Sequence, residues 1–348
     1  MSNAKPITII GGGLAGLALG VGLRRQHIPT TVLEAGHYPR HRVCGEFISG
    51  RGQATLTRLG LTNLFDQAGA RPARTVALFS SKSRSGVRHL PSPALCLSRY
   101  HMDMAIAEEF VRLGGRLQLG NAWRDGLAGE GLVGAIGRVR ADSEGKRRSW
   151  FGLKAHFHGL RLEADLELHL GCAGYIGLCR LDENEVNVCG LFKGHFQRER
   201  CPGGKLGRLL QFAGPKLGQR LRQARMDESS FCSVAGLGYG ERQCLDTEAC
   251  AIGDCLTLIP PFAGNGMSMA FEAAELAVEP LTRYGLSRIN WMEAVQSIRV
   301  ACHQRFERRL AWSRALHRLM FHPAAQRGLA PLIFRFDCVW RWIFALTR

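Results

Sequence analysis

Gly11, Gly13 and Gly16, set in the run Gly-Gly-Gly-Leu-Ala-Gly over residues 11–16, have the spacing that lets a backbone wrap a phosphate. Gly11 allows a tight turn, Gly13 lets the main chain approach a pyrophosphate, and Gly16 lets a helix lie close to the preceding strand. Leu14 and Ala15 open that helix, whose unpaired N–H groups and positive dipole end face phosphate charge. Glu34, twenty-one residues beyond Gly13 and next to Ala35, stands where an acid accepts hydrogen bonds from a ribose. An acid there repels a 2′-phosphate. Far downstream, Gly253-Asp254 ends an apolar run, and Pro260-Pro261-Phe262-Ala263-Gly264-Asn265-Gly266-Met267 follows. Asp254 at a strand's C-terminal end can accept from the hydroxyls of a polyol. Amides of Gly264–Gly266 at a helix start would face partial negative charge.

The elements that must hold these groups are legible as patterns. Ile7–Ile10 and Thr30–Leu33 are β-branched runs suited to buried parallel strands, and Leu14–Arg25 carries helical apolar spacing between them. Thr75–Ser80, Gly86–Leu90, Trp150–Phe157, Leu162–Leu170, Gly174–Leu181 and Glu185–Phe192 read as further strands, with a tight turn at Asp182–Asn184. Lys205–Arg225 reads as a basic helix interrupted near Gly214-Pro215, Met267–Leu281 as a helix, and the chain beyond Trp291 as mostly helical. Trp150, Phe157, Tyr175 and Phe192 divide between core and pocket lining. His156, His158 and His169 alternate with apolar residues, but no acid or cysteine at suitable spacing supports a metal site.

Composition narrows the class. With 348 residues, 46% of them hydrophobic, the chain can build a two-domain core. Its net charge of +17 lacks the aromatic–basic interleaving of nucleic-acid binders, so no nucleic acid is expected. The twelve cysteines occur singly, without CxxC pairs, as reduced thiols would in a cytoplasmic protein. The N-terminus lacks the apolar segment of a signal peptide, and no run is long enough to cross a bilayer. Leu332–Leu346, rich in Phe, Trp and Ile and carrying Arg335 and Arg341, reads as an interfacial anchor or as a packed C-terminal helix. The expected location is cytoplasmic, with peripheral contact at the inner membrane face through this tail.

These motifs together resemble the flavoprotein superfamily of p-hydroxybenzoate-hydroxylase-type monooxygenases and geranylgeranyl reductases. Residues 11–34 resemble its ADP-binding motif, Gly253-Asp254 its ribityl-binding motif, and Pro260–Met267 the loop beneath its flavin ring. Leu97–Asp103 resembles the segment that sets Arg99 near the cofactor. Pro39–Phe47, with Cys44-Gly45-Glu46 after a basic pair, is nearest the geranylgeranyl-reductase-like branch. The resemblance implies FAD, with Arg40 or Arg42 countering pyrophosphate charge and Cys44 and Gly45 at the flavin or substrate face. Cys44 is its candidate catalytic residue. It also implies NAD(P)H as electron donor, although Ile136 stands where hydroxylases carry the acid that touches the nicotinamide. Trp340-Arg341-Trp342-Ile343 echoes a flavin-halogenase element but lacks its proline.

The expected fold is α/β: a Rossmann-type FAD domain (1–74, 95–148 and 246–300), an inserted antiparallel substrate sheet (75–94 and 149–245) and a helical tail (301–348). The expected function is FAD-dependent redox chemistry on a small hydrophobic, isoprenoid- or polyketide-like substrate by reduction or dehydrogenation. Hydroxylation of an aromatic or polyketide substrate, and electron carriage at a membrane surface, are the alternatives.

Overall fold

The computed structural model describes residues 4–80, 83–123, 126–137, 150–171, 173–194, 201–237, 249–257, 259–260, 264–321 and 332–347. Strand β1 (Ile7–Ile10) leads through a glycine turn into helix α1 (Leu14–Arg25) and strand β2 (Thr30–Glu34). Strand β6 (Arg116–Leu119) pairs with β2, while β7 (Leu132–Gly134) and then β13 (Cys250–Ala251) extend the other edge. The resulting order is β13-β7-β1-β2-β6, all parallel. Strands β1 and β2 are mostly buried on both faces, which is why the sequence shows continuous β-branched runs there rather than alternation. Residues 14–23 of α1 are all buried, because the helix lies between this sheet, helix α4 (Arg99–Arg112) and helix α7 (Gly266–Gly285).

A second sheet has eight strands. It contains β3 (Phe47–Ile48), β4 (Arg71–Phe79), β5 (Arg88–Cys96), β8 (Trp150–His158), β9 (Leu166–Leu170), β10 (Gly174–Arg180), β11 (Glu185–Lys193) and β12 (Arg225–Leu237). Their order is β12-β8-β11-β10-β9-β4-β5-β3. The expectation of an antiparallel sheet holds except at one seam, where β4 runs parallel to β9. Strands β4 and β5 are also longer than the sequence suggests. Pro91 and Pro93 sit inside β5, and the β4–β5 register shifts between Ala73 and Thr75. Prolines of this kind hide a strand from a pattern search.

The basic segment after residue 204 forms two helices, α5 (Gly204–Leu210) and α6 (Pro215–Gln223), divided at Gly214-Pro215 as the sequence implies. It does not reach Arg225. That residue begins the 13-residue strand β12, whose register against β8 breaks between Asp227 and Cys232, so no clean two-residue period marks it.

Helix α8 (Trp291–Met320) opens with a capping box in which Asn290 and Glu293 satisfy each other's backbone N–H groups. The tail then folds back. Phe334 and Trp340 of the C-terminal segment are buried against Ala73, Val76 and Ala94 of β4 and β5. The segment leading into helix α9 (Asp337–Leu346) is held there by Arg88, which donates to the carbonyls of Ile333 (2.7 Å) and Phe334 (2.6 Å). One face of the tail is therefore part of the fold. No helix among the described residues is long and apolar enough to cross a membrane.

A candidate cofactor and substrate cavity

Between the two sheets lies a cavity of about 980 Å³ that joins the glycine turn to the apolar tail. Gly11, Gly13, Leu14, Ala15, Glu34, Ala35, Arg40 and Arg42 line one end. Cys44, Gly45, Arg99, Asp254, Gly264, Gly266 and Met267 line its middle. Val76, Leu168, Tyr175, Leu178, Trp340 and Phe344 belong to the apolar end. Residues from both ends of the chain thus meet on one space.

Local geometry explains the first end. Gly11 sits at φ +111°, and a Cβ there would lie 2.3 Å from the Ala135 carbonyl oxygen, so no other residue fits. Gly13 is different: a Cβ there meets nothing within 4 Å and would project into open cavity. Bare backbone at a helix start, facing free space, suits a close-approaching anion. Arg40 Nε is buried without a hydrogen-bond partner, and Arg42 Nε lies 3.3 Å from Asp103 Oδ2. Such donors suit pyrophosphate oxygens.

Glu34 is engaged more fully than the sequence suggests. Its carboxylate accepts from the Gly12 and Gly36 amides at 3.0 and 2.8 Å and pairs with Arg40 at 2.6 Å. Burial pushes its carboxyl up, but the Gly36 amide and Arg40 outweigh this and hold it below the usual range. Two carboxylate oxygens offer about four acceptor positions, so capacity for ribose hydroxyls remains. Tyr38, which no motif singled out, donates to the Gly12 carbonyl and closes this corner.

Arg99 is anchored by Asp103 in a bidentate pair, at 2.7 and 2.8 Å. Burial disfavours its charge, but Asp103 more than compensates and raises its proton affinity. Ser98 caps the helix behind it by accepting from the His101 amide. The motif read from Leu97–Asp103 is therefore a helix start that aims a fixed cation at the cavity.

Three predicted residues stand outside the lining. Gly16 backs onto the Gly11 carbonyl, where a Cβ would come within 2.0 Å, and so serves strand–helix packing as expected. Gly253 (φ +63°) makes the turn that presents Asp254. Asn265 turns its side chain away and donates to the Thr347 carbonyl, tying the start of α7 to the tail. Pro261 lies outside the described residues. Of the four aromatic candidates, Tyr175 lines the cavity, whereas Phe157 and Phe192 belong to the second sheet's core and Trp150 packs on His317 and Phe321.

Cys44 lines the cavity, and burial pushes its thiol up. Cys179, Cys189 and Cys232 line the same space and are also raised, Cys232 to about 12. A raised thiol is a poor nucleophile, so the group acts as protonated, polarizable lining rather than as thiolates. The convergence was invisible in the sequence because three of the cysteines come from separate strands and Cys44 from a loop.

Beside this lining lies a cluster that joins Glu46 of the Cys-Gly-Glu motif to two residues of β8. Glu46, Lys154 and His156 are almost completely buried. Glu46 sits at φ +60°, a strained region for a non-glycine residue that costs about 1–3 kcal/mol. Its Oε2 lies 2.7 Å from His156 Nε2 and its Oε1 lies 3.3 Å from Lys154 Nζ. Oε1 also accepts from the Arg99 amide at 2.9 Å. His156, one of the three histidines weighed for metal, thus bridges carboxylates instead.

The fold so defined is that of FAD-binding flavoproteins. Among solved structures, the chain is similar to the flavin-dependent brominase Bmp2, with a TM-score of 0.76 at 18% identity, over 99% of this chain and 94% of that one. It is similar to a flavoprotein/dehydrogenase from Cytophaga hutchinsonii (TM-score 0.74, 13% identity, 99% and 92% covered). It is also similar to pqsL, a probable FAD-dependent monooxygenase from Pseudomonas aeruginosa (TM-score 0.69, 14% identity, 94% and 100% covered). A curated relative, Monooxygenase 1 of Arabidopsis thaliana, is 30% identical over 104 residues, which span 29% of this chain and 26% of that protein. No family model matches the chain.

Proposed function

We propose that this protein is an FAD-dependent oxidoreductase, and specifically a monooxygenase acting on a hydrophobic aromatic or polyketide-like substrate. The observation that carries this reading is the single cavity running from the bare Gly13 backbone to the apolar wall of Tyr175, Leu178, Trp340 and Phe344. FAD bound there would supply the electron pair for reaction with oxygen or with substrate. The protein's part is binding, orientation and dryness. The Gly13 backbone with Arg40 and Arg42 would hold the pyrophosphate, Asp254 the ribityl hydroxyls, and the Gly264 and Gly266 amides the negative edge of the ring. The apolar end would hold the substrate away from water.

The likenesses to Monooxygenase 1 and to a probable FAD-dependent monooxygenase support hydroxylation over hydride transfer. The geranylgeranyl-reductase-like reading rests on Cys44-Gly45-Glu46, two members of which line the cavity, and it stands as the second reading. The electron-carrier reading is weaker, since carriage does not need a large enclosed apolar space. Four protonated thiols beside the substrate weigh against a free hypohalite, which oxidises thiols directly. NAD(P)H is the electron source to try first.

The test is an oxygen-18 experiment. Protein should be purified yellow and FAD identified in its extract. After anaerobic reduction, labelled oxygen is admitted over the co-purified small molecules. Products carrying one labelled oxygen are expected. Products that gain two hydrogens and no label would favour reduction, and a protein that cannot take up FAD would remove both readings.

We further propose that the outer face of the tail meets an anionic membrane surface. Leu332, Phe336 and Trp342 are 46%, 44% and 59% exposed beside Arg335 and Arg341. Each arginine near an anionic bilayer contributes about 1 kcal/mol, and tryptophan favours the interface. Full-length protein should co-sediment with phosphatidylserine vesicles at least about tenfold better than the R335A/R341A variant. Equal binding of the two would remove the proposal.

A further inference from the structure

The Glu46–Lys154–His156 cluster is a costly arrangement that the cofactor and substrate contacts described above leave unused. Buried ion pairs seldom stabilise a fold beyond what apolar side chains would, so three buried charges invite a functional explanation. The geometry supplies one. His41 lines the cavity, and its Nδ1 lies 3.0 Å from Lys154 Nζ. Lys154 Nζ lies 3.3 Å from Glu46 Oε1, and Glu46 Oε2 lies 2.7 Å from His156 Nε2. His156 Nδ1 lies 2.8 Å from Glu185 Oε1, and Glu185 is partly exposed to solvent. We infer that His41, Lys154, Glu46, His156 and Glu185 form a proton path between the cavity and the protein surface. Four links span it.

The states along the path follow from donor and acceptor chemistry. A lysine ammonium has no lone pair, so His41 Nδ1 must accept from it and the ring proton sits on Nε2. His41 is stacked on Tyr100 at 4.7 Å and meets His156 edge-on at 5.0 Å, which orients both rings at rest. Burial, then Lys154 and His156, hold His41 neutral, with Glu46 and Asp227 acting weakly in the other direction. His156 is opposed by burial and Lys154, but hydrogen bonds to Glu185 and Glu46 raise it toward the doubly protonated form. Glu46 stays ionised despite burial because His156 and Lys154 hold it low, and Glu185 is lowered by His156 against Asp182. Charges therefore alternate from Lys154 to Glu185, which suits a relay.

One turnover of the path moves one proton. His41 Nε2 gives its proton to a basic atom in the cavity, and Nδ1 takes one from Lys154. Glu46 takes a proton from His156 Nε2 and, on turning its carboxyl, passes it to the lysine amine. His156 then turns its bare nitrogen to water at Glu185 and is refilled, and a flip of the His41 ring brings its remaining N–H back to the cavity. No oxidant is consumed. Splitting oxygen to form water and reducing an alkene both call for such a proton, so the inference rests on the flavin reading but not on which reaction follows. His41 would be the catalytic residue; the other four act through it.

The test uses oxygen alone. The anionic reduced flavin FADH−, oxygen and one proton give oxidised FAD and hydrogen peroxide, so reoxidation of the holoprotein would draw on the path without a known substrate. His41→Ala and Lys154→Met should slow reoxidation about tenfold above neutral pH and enlarge the solvent deuterium effect. Added imidazole should restore His41→Ala. Glu185→Gln, at the exposed end, keeps the test decisive if a buried variant misfolds, and should shift the pH profile with FAD content unchanged. Nitrogen-15 spectra of histidine-labelled protein, with or without flavin, should show His41 neutral with its proton on Nε2 and His156 doubly protonated. A wild-type pH profile in FAD-replete Glu185→Gln, or an Nδ1-protonated His41, would overturn the path. Failure to bind FAD with intact histidine signals would instead indict the flavin reading.

Discussion

Gly13→Glu is expected to give a folded protein that emerges colourless. The position is the N-cap of α1 and has ordinary extended backbone angles, so a side chain there brings no backbone strain. A Cβ at Gly13 meets no atom within 4 Å, so the fold should unfold at the wild-type midpoint within about 0.5 kcal/mol, as open positions do. The new carboxylate would enter the space facing the helix start, where the proposed pyrophosphate carries like charge. FAD affinity should fall at least about a hundredfold, or roughly 2.7 kcal/mol. Gly11→Ala is the instructive contrast. Its Cβ would run into the Ala135 carbonyl at a positive φ, so the loss of colour there should come with loss of stability. Thermal unfolding and the absorbance of purified protein separate the two. A yellow Gly13→Glu protein with wild-type flavin content would move the cofactor elsewhere.

The glycine turn was legible because its parts are consecutive: strand, turn, helix, strand and acid fall within residues 7–34, and the periods of 2 and 3.6 change where the glycines sit. The helix start at Gly264–Met267 was legible for the same local reason. What stayed hidden is long-range. Glu46 and His156 are 110 residues apart in the chain and 2.7 Å apart in space. Nothing about a histidine alternating with apolar residues distinguishes a metal ligand from a bridge between two carboxylates. Strand β12 was hidden by its bulge, and the tail's dual nature by its amphipathic pattern. That pattern shows that one face is apolar without saying that Trp340 would be spent on the cavity while Trp342 stays outside. Asn265 illustrates the limit of motif reading: it sits within the loop expected to hold the cofactor, yet its side chain serves the tail.

Arg309→Met should be among the most destabilising single changes in the chain, and its effect should reach the cofactor first. Glu272 on α7 is fully buried, and Arg309 on α8 grips it with two hydrogen bonds, at 2.7 and 3.1 Å. Removing the arginine leaves a carboxylate without its partner in an apolar layer, a loss of about 3–5 kcal/mol. Arg305, partly exposed and 3.6 Å from the same carboxylate, would soften this toward the lower figure. The paired variant E272L/R309M removes both charges together and should lie within about 1.5 kcal/mol of wild type, because similar volume is kept. Urea unfolding followed by circular dichroism reads both. Helix α7 begins at Gly266, whose backbone lines the cavity, so loosening its seat on α8 should release FAD at lower urea than global unfolding in the single variant but not in the double. A single variant costing under about 1 kcal/mol would mean that Arg305 replaces Arg309 fully and that the α7–α8 contact does not hold the flavin end of α7 in place.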